Sequence, residues 1–203
     1  LTGTLPTEMA QMANILEFYA DTNMLNGTMP SEISAMSRLQ LFSVTDNTFT
    51  GTLPTELGLL TSLQHLFVDS NMLTGFLPTQ LGQMSGLQLL EVYNNRLSGT
   101  LPSELATLPA MISLSLGMNA FSGTLPTEWG KMTRLQQLIA HTNNLNGTIP
   151  SEFFAGMTDL NIFSVYSNSL TGTLTTQVGR MTALSEYSVN GNMFVGTLPT
   201  EMG

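Results

Sequence analysis

The sequence predicts an α/β-type solenoid, in which short parallel strands stack into a sheet and short helical turns pack behind them. Two observations lead to this prediction. A motif close to G-T-L-P recurs with a step of 24 residues, as from Gly3 to Gly27, and an alternating apolar segment that ends at an asparagine follows each of the first eight copies. A fixed period of this length is typical of stacked supersecondary units, each of which buries its apolar face against the next unit.

The glycine of the motif marks the repeat boundaries. It falls at positions 3, 27, 51, 75, 99, 123, 147, 172 and 196, and only the step from 147 to 172 is 25 residues instead of 24. The additional residue of the seventh repeat is expected within 152–156. The chain, 1–203, is therefore predicted to be a single array of eight full repeats and a partial ninth, with no recognisable caps.

The alternating segment predicts a strand with one buried face. In the third repeat, Leu63, Leu66 and Val68 precede Asn71 and Leu73, and the alternation has the period of two that a half-buried strand requires. The asparagine recurs without substitution at positions 23, 47, 71, 95, 119, 143, 168 and 192. Its amide carries two donors and an acceptor, so we expect it to bond the backbone where the strand turns away.

The pattern L-x-x-L-x-L-x-x-N-x-L, continued by L-[ST]-G-T-[LI]-P-x-E-[LM]-G, resembles the plant-type leucine-rich repeat family over the whole chain. The resemblance implies a right-handed superhelix with a parallel concave β-sheet, short second strands and short helical or 3-10 turns on the convex side. The subclass occurs in receptor-kinase ectodomains, in polygalacturonase-inhibitor-like proteins and in algal proteins. It therefore implies an extracellular or cell-surface location and a recognition function.

Composition narrows the function further. The chain has no cysteine and a formal net charge of −9, which excludes thiolate metal sites and disfavours nucleic acid as a partner. It has no apolar run of about 18 residues, so no membrane insertion of this segment is expected. The two histidines, His65 and His141, are three repeats apart, or roughly 14 Å along a stack of strands. We therefore expect no catalytic site, no metal and no cofactor.

Half of the acidic residues occupy one column, directly after a Pro-Thr or Pro-Ser pair. Because a carboxylate in the first turn of a helix is favoured by the exposed N–H groups there, this column is interpreted as architectural. The preceding hydroxyl is predicted to be the N-cap of the turn. The column comprises Glu8, Glu32, Glu56, Glu104, Glu128, Glu152 and Glu201.

The outward positions of the concave strands carry most of the other acids, several large side chains, and no lysine or arginine. Aromatic side chains are enriched at recognition surfaces, so this face is the predicted binding site for a basic or hydroxyl-rich protein, peptide or glycan. The alternative is that stacked aromatics only stabilise neighbouring strands. The predicted site comprises Tyr19, Asp21, His65, Phe67, Asp69, Glu91, Tyr93, Ile139, His141 and Tyr166.

Threonines flank the glycine of the repeat in two columns that should point outward from the second strands. An uncharged double row of T-x-T side chains resembles the ice-contact face of β-solenoid antifreeze proteins, which makes ice binding an alternative function. Strand propensity alone also explains threonine here, and Phe76 interrupts the row. The predicted ice-binding residues are Thr2, Thr4, Thr28, Thr50, Thr52, Thr74, Thr100, Thr124, Thr148, Thr171, Thr173 and Thr197.

Two N-G-T sequons, at Asn26 and Asn146, predict glycosylation of a secreted protein at that same surface. A third hypothesis is that the array is a structural spacer within a larger surface protein.

Overall fold

The computed structural model, which describes residues 1–200, is a solenoid whose concave face is one parallel sheet of eight strands. Each strand pairs with the equivalent strand of the next repeat, so that Leu66 pairs with Leu90 and Leu90 with Leu114. Equivalent positions therefore form straight columns about 4.8 Å apart. The concave strands are Glu17–Tyr19, Leu41–Ser43, His65–Phe67, Leu89–Glu91, Ser113–Ser115, Gln137–Ile139, Ile162–Ser164 and Glu186–Ser188.

A second set of parallel strands runs around the glycines of the repeat. Six of them form one sheet, two more form a pair, and the bridge between Thr28 and Thr50 lies between the two groups. The predicted short second strands are thus confirmed. They are Thr2–Gly3, Met24–Leu25, Thr74–Phe76, Arg96–Thr100, Ala120–Gly123, Asn144–Gly147, Ser169–Gly172 and Met193–Phe194.

The convex side is built from single helical turns. Seven repeats have a 3-10 turn, whereas the seventh repeat, which carries the additional residue, has a short α-helix at Ser151–Gly156. An α-helix uses more residues per turn than a 3-10 helix, so the extra residue is taken up here. The 3-10 turns are Thr7–Gln11, Ser31–Ala35, Thr55–Leu59, Thr79–Gln83, Ser103–Thr107, Thr127–Lys131 and Thr176–Arg180.

The glutamate column lies in the first turn of these helices, but the predicted hydroxyl cap is wrong. Proline is the N-cap residue, and the hydroxyl after it bonds the carboxylate of the next residue, as Thr55 does with Glu56 at 3.2 Å. A side-chain cap forms where threonine replaces that proline: Thr175 Oγ1 accepts from the backbone N–H of Gln177 at 3.2 Å. Glu201 lies outside the described residues.

The asparagines form a ladder that joins neighbouring repeats. The Nδ2 of Asn71 donates to the carbonyls of Val68 at 3.2 Å and Asp69 at 3.0 Å in its own repeat, and of Val44 at 3.0 Å in the previous one. Its Oδ1 accepts from the N–H of Phe49 at 3.0 Å. Each amide thus fixes the end of a concave strand to the start of the second strand, and the prediction for this column is confirmed.

The residue before each asparagine has a left-handed backbone. Its φ is between 51° and 55° at seven positions, which include Asp46, Met118 and Thr142, and at the eighth the residue is Gly191. Non-glycine residues adopt this conformation at a cost of roughly 1–2 kcal/mol. The asparagine bonds on either side of the corner offset that cost, because they satisfy carbonyls that leave the strand direction there.

The threonine that follows each glycine has a packing role. At Gly75, where φ is +79°, a Cβ would lie 2.6 Å from the Cγ2 of Thr52 in the previous repeat. The threonine methyl therefore rests against the glycine, and the same contact recurs along the column. This contact leaves no room for a Cβ on the glycine, in addition to the strain that its positive φ would impose on any other residue; at Gly99 the ring of Phe76 takes the place of the methyl.

We predict that Asn71→Ala destabilises the solenoid by about 3 kcal/mol, because several buried backbone groups lose their partners together. The free energy of unfolding, measured by urea denaturation, tests this. Asn23→Ala is the matched control. Asn23 is more exposed and bonds only its own repeat and the chain terminus, so we expect a loss of about 1 kcal/mol. Equal losses for both variants would contradict the ladder.

We predict that Gly75→Ala is rescued in part by Thr52→Ala. The first change introduces the clash with the Thr52 methyl, and the second removes that methyl, so the double variant should be about 1 kcal/mol more stable than additivity predicts. Gly3→Ala is the control: φ is +93° there, but nothing lies within 4 Å of the added Cβ. Additive effects in urea denaturation would show that the methyl contact is unimportant.

Candidate functional site

All ten residues of the predicted concave site lie on one face of the eight-stranded sheet or directly after its strands. Tyr19 is 59% exposed, and the other nine side chains are half-buried. That degree of burial arises because the side chains lie against each other along the stack. The face divides into an acidic part in the first four repeats and a part with stacked rings in the fourth to seventh repeats.

The acidic part is organised by hydroxyl side chains. The Oδ1 of Asp21 accepts from Ser43 Oγ and from the backbone N–H of Thr45, the latter at 2.9 Å. The Oγ1 of Thr45 donates to Asp69 Oδ1 at 2.7 Å, and Ser70 Oγ donates to the other oxygen of Asp69 at 3.4 Å. The hydroxyls hold the two carboxylates in fixed orientations, and Asp21 Oδ2 has no bond among residues 1–200.

Glu91 extends the acidic part into the fourth repeat. Its burial, with the nearby charge of Asp69, raises its pKa above the ordinary value. No lysine or arginine occupies an outward position of the described concave strands. Both causes oppose ionisation, so a cation placed beside Glu91 and Asp69 would stabilise their charged forms.

Three rings form a continuous row on the other part of the face. His141 stacks on Tyr166 with centroids 4.2 Å apart and planes 8° apart, and it meets Tyr93 edge-on at 5.7 Å. Tyr93 and His141 belong to repeats two steps apart. Gly117, between them, makes this contact possible: a Cβ there would lie 3.1 Å from His141 Nε2 and 3.2 Å from Tyr93 Cδ2.

Within this row, the environment of His141 favours its uncharged form. Burial lowers the pKa of His141, and the carboxylate of Glu186 opposes this only in part. The Oη of Tyr93 lies 2.7 Å from Met118 Sδ. The row therefore presents apolar ring surface with two phenol groups at its rim, which is chemically distinct from the acidic part.

The remaining large side chains are separate from this row. His65 and Phe67 stack on each other within one strand, with centroids 5.7 Å apart. Ile139 lies between Ser115 and Ser164 of the neighbouring strands. The sequence indicated all of these residues, but it did not indicate Ser43, Thr45 or Gly117. These three have small or hydroxyl side chains whose importance depends on their neighbours one repeat away.

The threonines proposed as an ice-binding face lie on the outer surface of the second sheet. Those after the glycine are exposed, and their Oγ1 atoms have no hydrogen-bond partner within the described part of the chain. Those before the glycine bond the previous repeat instead: Thr50, Thr74 and Thr171 each donate to a glycine carbonyl at 3.2 Å. The two columns are therefore chemically different. Asn26 and Asn146 are exposed beside them.

Within residues 1–200, no group of three or more His, Cys, Asp or Glu side chains is arranged to hold a metal ion. Over the same range, no helix combines the length and the apolar character that crossing a bilayer requires.

Comparison with known proteins agrees with the repeat geometry. The leucine-rich repeat family model matches residues 62–84 and 86–108, whereas no curated protein matches the sequence. A TDR receptor structure is 33% identical in sequence, with a TM-score of 0.95, and the match covers 99% of this chain and 35% of the TDR chain. The Arabidopsis receptor kinase HAESA, in complex with the peptide hormone IDA and the co-receptor SERK1, is 27% identical with a TM-score of 0.95. The match covers 99% of this chain and 34% of HAESA.

A plant ice-binding protein is 22% identical, with a TM-score of 0.78, and the match covers 98% of this chain and 72% of the ice-binding protein. This similarity shows a shared fold and nothing more. This chain spans about a third of the length of the TDR and HAESA structures. The parallel sheets, the asparagine ladder and the similar receptor structures agree on one assignment: the chain is a leucine-rich repeat solenoid, and its repeat matches the plant type.

Proposed function

We propose that this chain is an extracellular recognition module that binds a basic peptide or protein segment along its concave face. The observation that carries the proposal is the division of that face into oriented carboxylates without cations and a neighbouring row of neutral rings. A peptide with a cationic end and an apolar or aromatic end matches both parts in one extended pose.

The acidic part suits arginine or lysine side chains. Hydroxyl donors already orient Asp21 and Asp69, so a bound cation would meet carboxylates that need little rearrangement. Glu91 adds a carboxylate whose ionisation is unfavourable in the free protein and would be favoured by that cation. Binding should therefore be salt-dependent and should weaken as Glu91 takes up a proton at low pH.

The ring row suits an apolar anchor of the ligand. Tyr93, His141 and Tyr166 form a surface fixed by ring contacts, and residues of this type contribute most of the binding energy at protein interfaces. The HAESA structure supports a ligand of this class, since it contains the peptide hormone IDA. A second matched structure of HAESA is of its ectodomain, which supports the extracellular location.

We predict that Asp69→Asn with Glu91→Gln weakens binding of synthetic peptides that carry paired arginines and a tyrosine by at least about tenfold, because the facing charges are lost. Binding is measured by calorimetry at low and high salt. The matched control is Glu32→Gln with Glu56→Gln, which removes the same charge from the helical turns and should leave affinity unchanged.

Tyr93→Ala with Tyr166→Ala should cost a similar factor through lost ring contacts in the same assay. The proposal fails if charge-reversed peptides bind as well as basic ones, or if the concave variants and the helical-turn control behave alike.

Ice binding is a second candidate function, favoured by the exposed threonine column after the glycine. The methyls of these threonines rest on glycines of the next repeat, so their hydroxyls recur at the strand spacing. Four repeats in succession, at Thr100, Thr124, Thr148 and Thr173, carry this arrangement without interruption.

We predict that, if this face binds ice, Thr148→Lys with Thr173→Lys abolishes inhibition of ice recrystallisation, whereas Phe76→Thr strengthens it by extending the row. The column accepts a large side chain at Phe76, so both variants should fold. Thr158→Lys, on the convex side, is the control. Absence of ice shaping by the unsubstituted chain at high concentration would exclude this function.

A further inference from the structure

A groove of about 950 Å³ lies outside the concave face, between the outer surface of the second sheet and the starts of the helical turns. It extends along the solenoid axis from the third to the sixth repeat, from Thr52 to Glu128. Phe76 stands at its centre, where the other described repeats have threonine. At that exchange a ring projects into the groove, where the rest of the column has a short side chain.

Phe76 is 69% exposed, and its ring is in contact with the next repeat. One edge of its ring lies against Gly99 of the next repeat, in the place where threonine methyls lie elsewhere in the column. No other ring lies against it within residues 1–200. Phe76 therefore presents an open aromatic platform that is supported along one edge. The backbone beneath it is already paired in the second sheet, as Phe76 with Ser98, so the floor offers no unpaired strand edge.

The polar groups around the platform are hydroxyls and carboxylates. Thr52, Thr100 and Thr124 line the groove, and in the described part of the chain their Oγ1 atoms have no partner. The carboxylates of Glu104 and Glu128 each accept one hydroxyl through Oε2, from Ser103 at 3.4 Å and Thr127 at 3.3 Å. Their Oε1 atoms face no donor among residues 1–200, and the described lining contains no cation.

We propose that this groove binds a neutral, linear glycan, with one sugar ring stacked on Phe76. The negatively polarised ring face attracts the C–H face of a pyranose, and carboxylate oxygens are strong acceptors for sugar hydroxyls. Each threonine hydroxyl can both donate and accept, as each sugar hydroxyl does. Hydroxyls that recur once per repeat suit a polymer whose own hydroxyls recur along its length.

The lining argues against other ligand classes. Anionic ligands, including uronic-acid polymers, would meet Glu104 and Glu128 without any cation. A peptide would find one aromatic anchor, no enclosed side-chain pocket and no free strand edge. The sequons at Asn26 and Asn146 border the glycines of the second and seventh repeats, so attached glycans would flank the groove and leave its centre open.

The test is calorimetric titration of the unsubstituted chain with cello-, xylo-, laminari- and mannohexaose, with hexagalacturonate and a basic proline-rich peptide as the other arms. We expect at least one neutral hexasaccharide to bind, and Phe76→Ala to weaken it about tenfold or more through lost stacking. Phe76→Trp should retain binding and Phe76→Thr should lose it. Glu104→Gln with Glu128→Gln should weaken it less than Phe76→Ala, because amides still accept hydrogen bonds.

The concave variant Tyr93→Ala with Tyr166→Ala is the control and should leave sugar binding intact, which separates this site from the proposed peptide site. Urea denaturation checks that the Phe76 variants remain folded. The proposal is overturned if no neutral hexasaccharide binds at millimolar concentration, or if binding is unchanged in Phe76→Ala. Phe76-dependent binding of the basic peptide or of hexagalacturonate in place of the neutral sugars would also overturn it.

Discussion

The amide of the repeated asparagine is the interaction on which the rest of the molecule depends. At Asn71 it bonds two carbonyls of its own repeat, one carbonyl of the previous repeat and the backbone N–H of Phe49. It therefore fixes where one concave strand ends relative to the next. The hydroxyl network between Asp21 and Asp69 and the contact of Tyr93 with His141 across Gly117 both join different repeats, so both depend on that alignment.

The periodicity of the sequence was sufficient to predict the sheets, the inward and outward columns and the concave location of the candidate residues. Because the same pattern recurs in eight repeats, the assignment of strands and buried positions does not depend on any one repeat. Three features could not be predicted from the periodicity. The hydroxyl cap was wrong because proline already occupies the cap position. The left-handed corner is hidden because residues such as Met118 and Thr142 have no preference for that backbone. The row from Tyr93 to Tyr166 depends on side-chain rotamers and on the space that Gly117 leaves.

The threonine column shows how one residue type can satisfy two demands. Its methyl packs against a glycine of the next repeat, which is a contact within the fold. Its hydroxyl is not used by the fold and remains available at the surface. The uniformity that suggested a functional face therefore has a structural cause, and the informative position is the departure at Phe76. In a repeat protein, a binding site is most readily found where a column is broken, because the fold alone would have kept it constant.

The short α-helix of the seventh repeat has a consequence for register. An α-helix is wider than a 3-10 helix, and Phe153 and Phe154, both buried, pack from it into the core. The strand in front of it pairs in the usual register, Phe163 with Leu138 on one side and with Tyr187 on the other. The inserted residue is therefore absorbed on the convex side, and the columns of the concave sheet continue past this repeat without a shift.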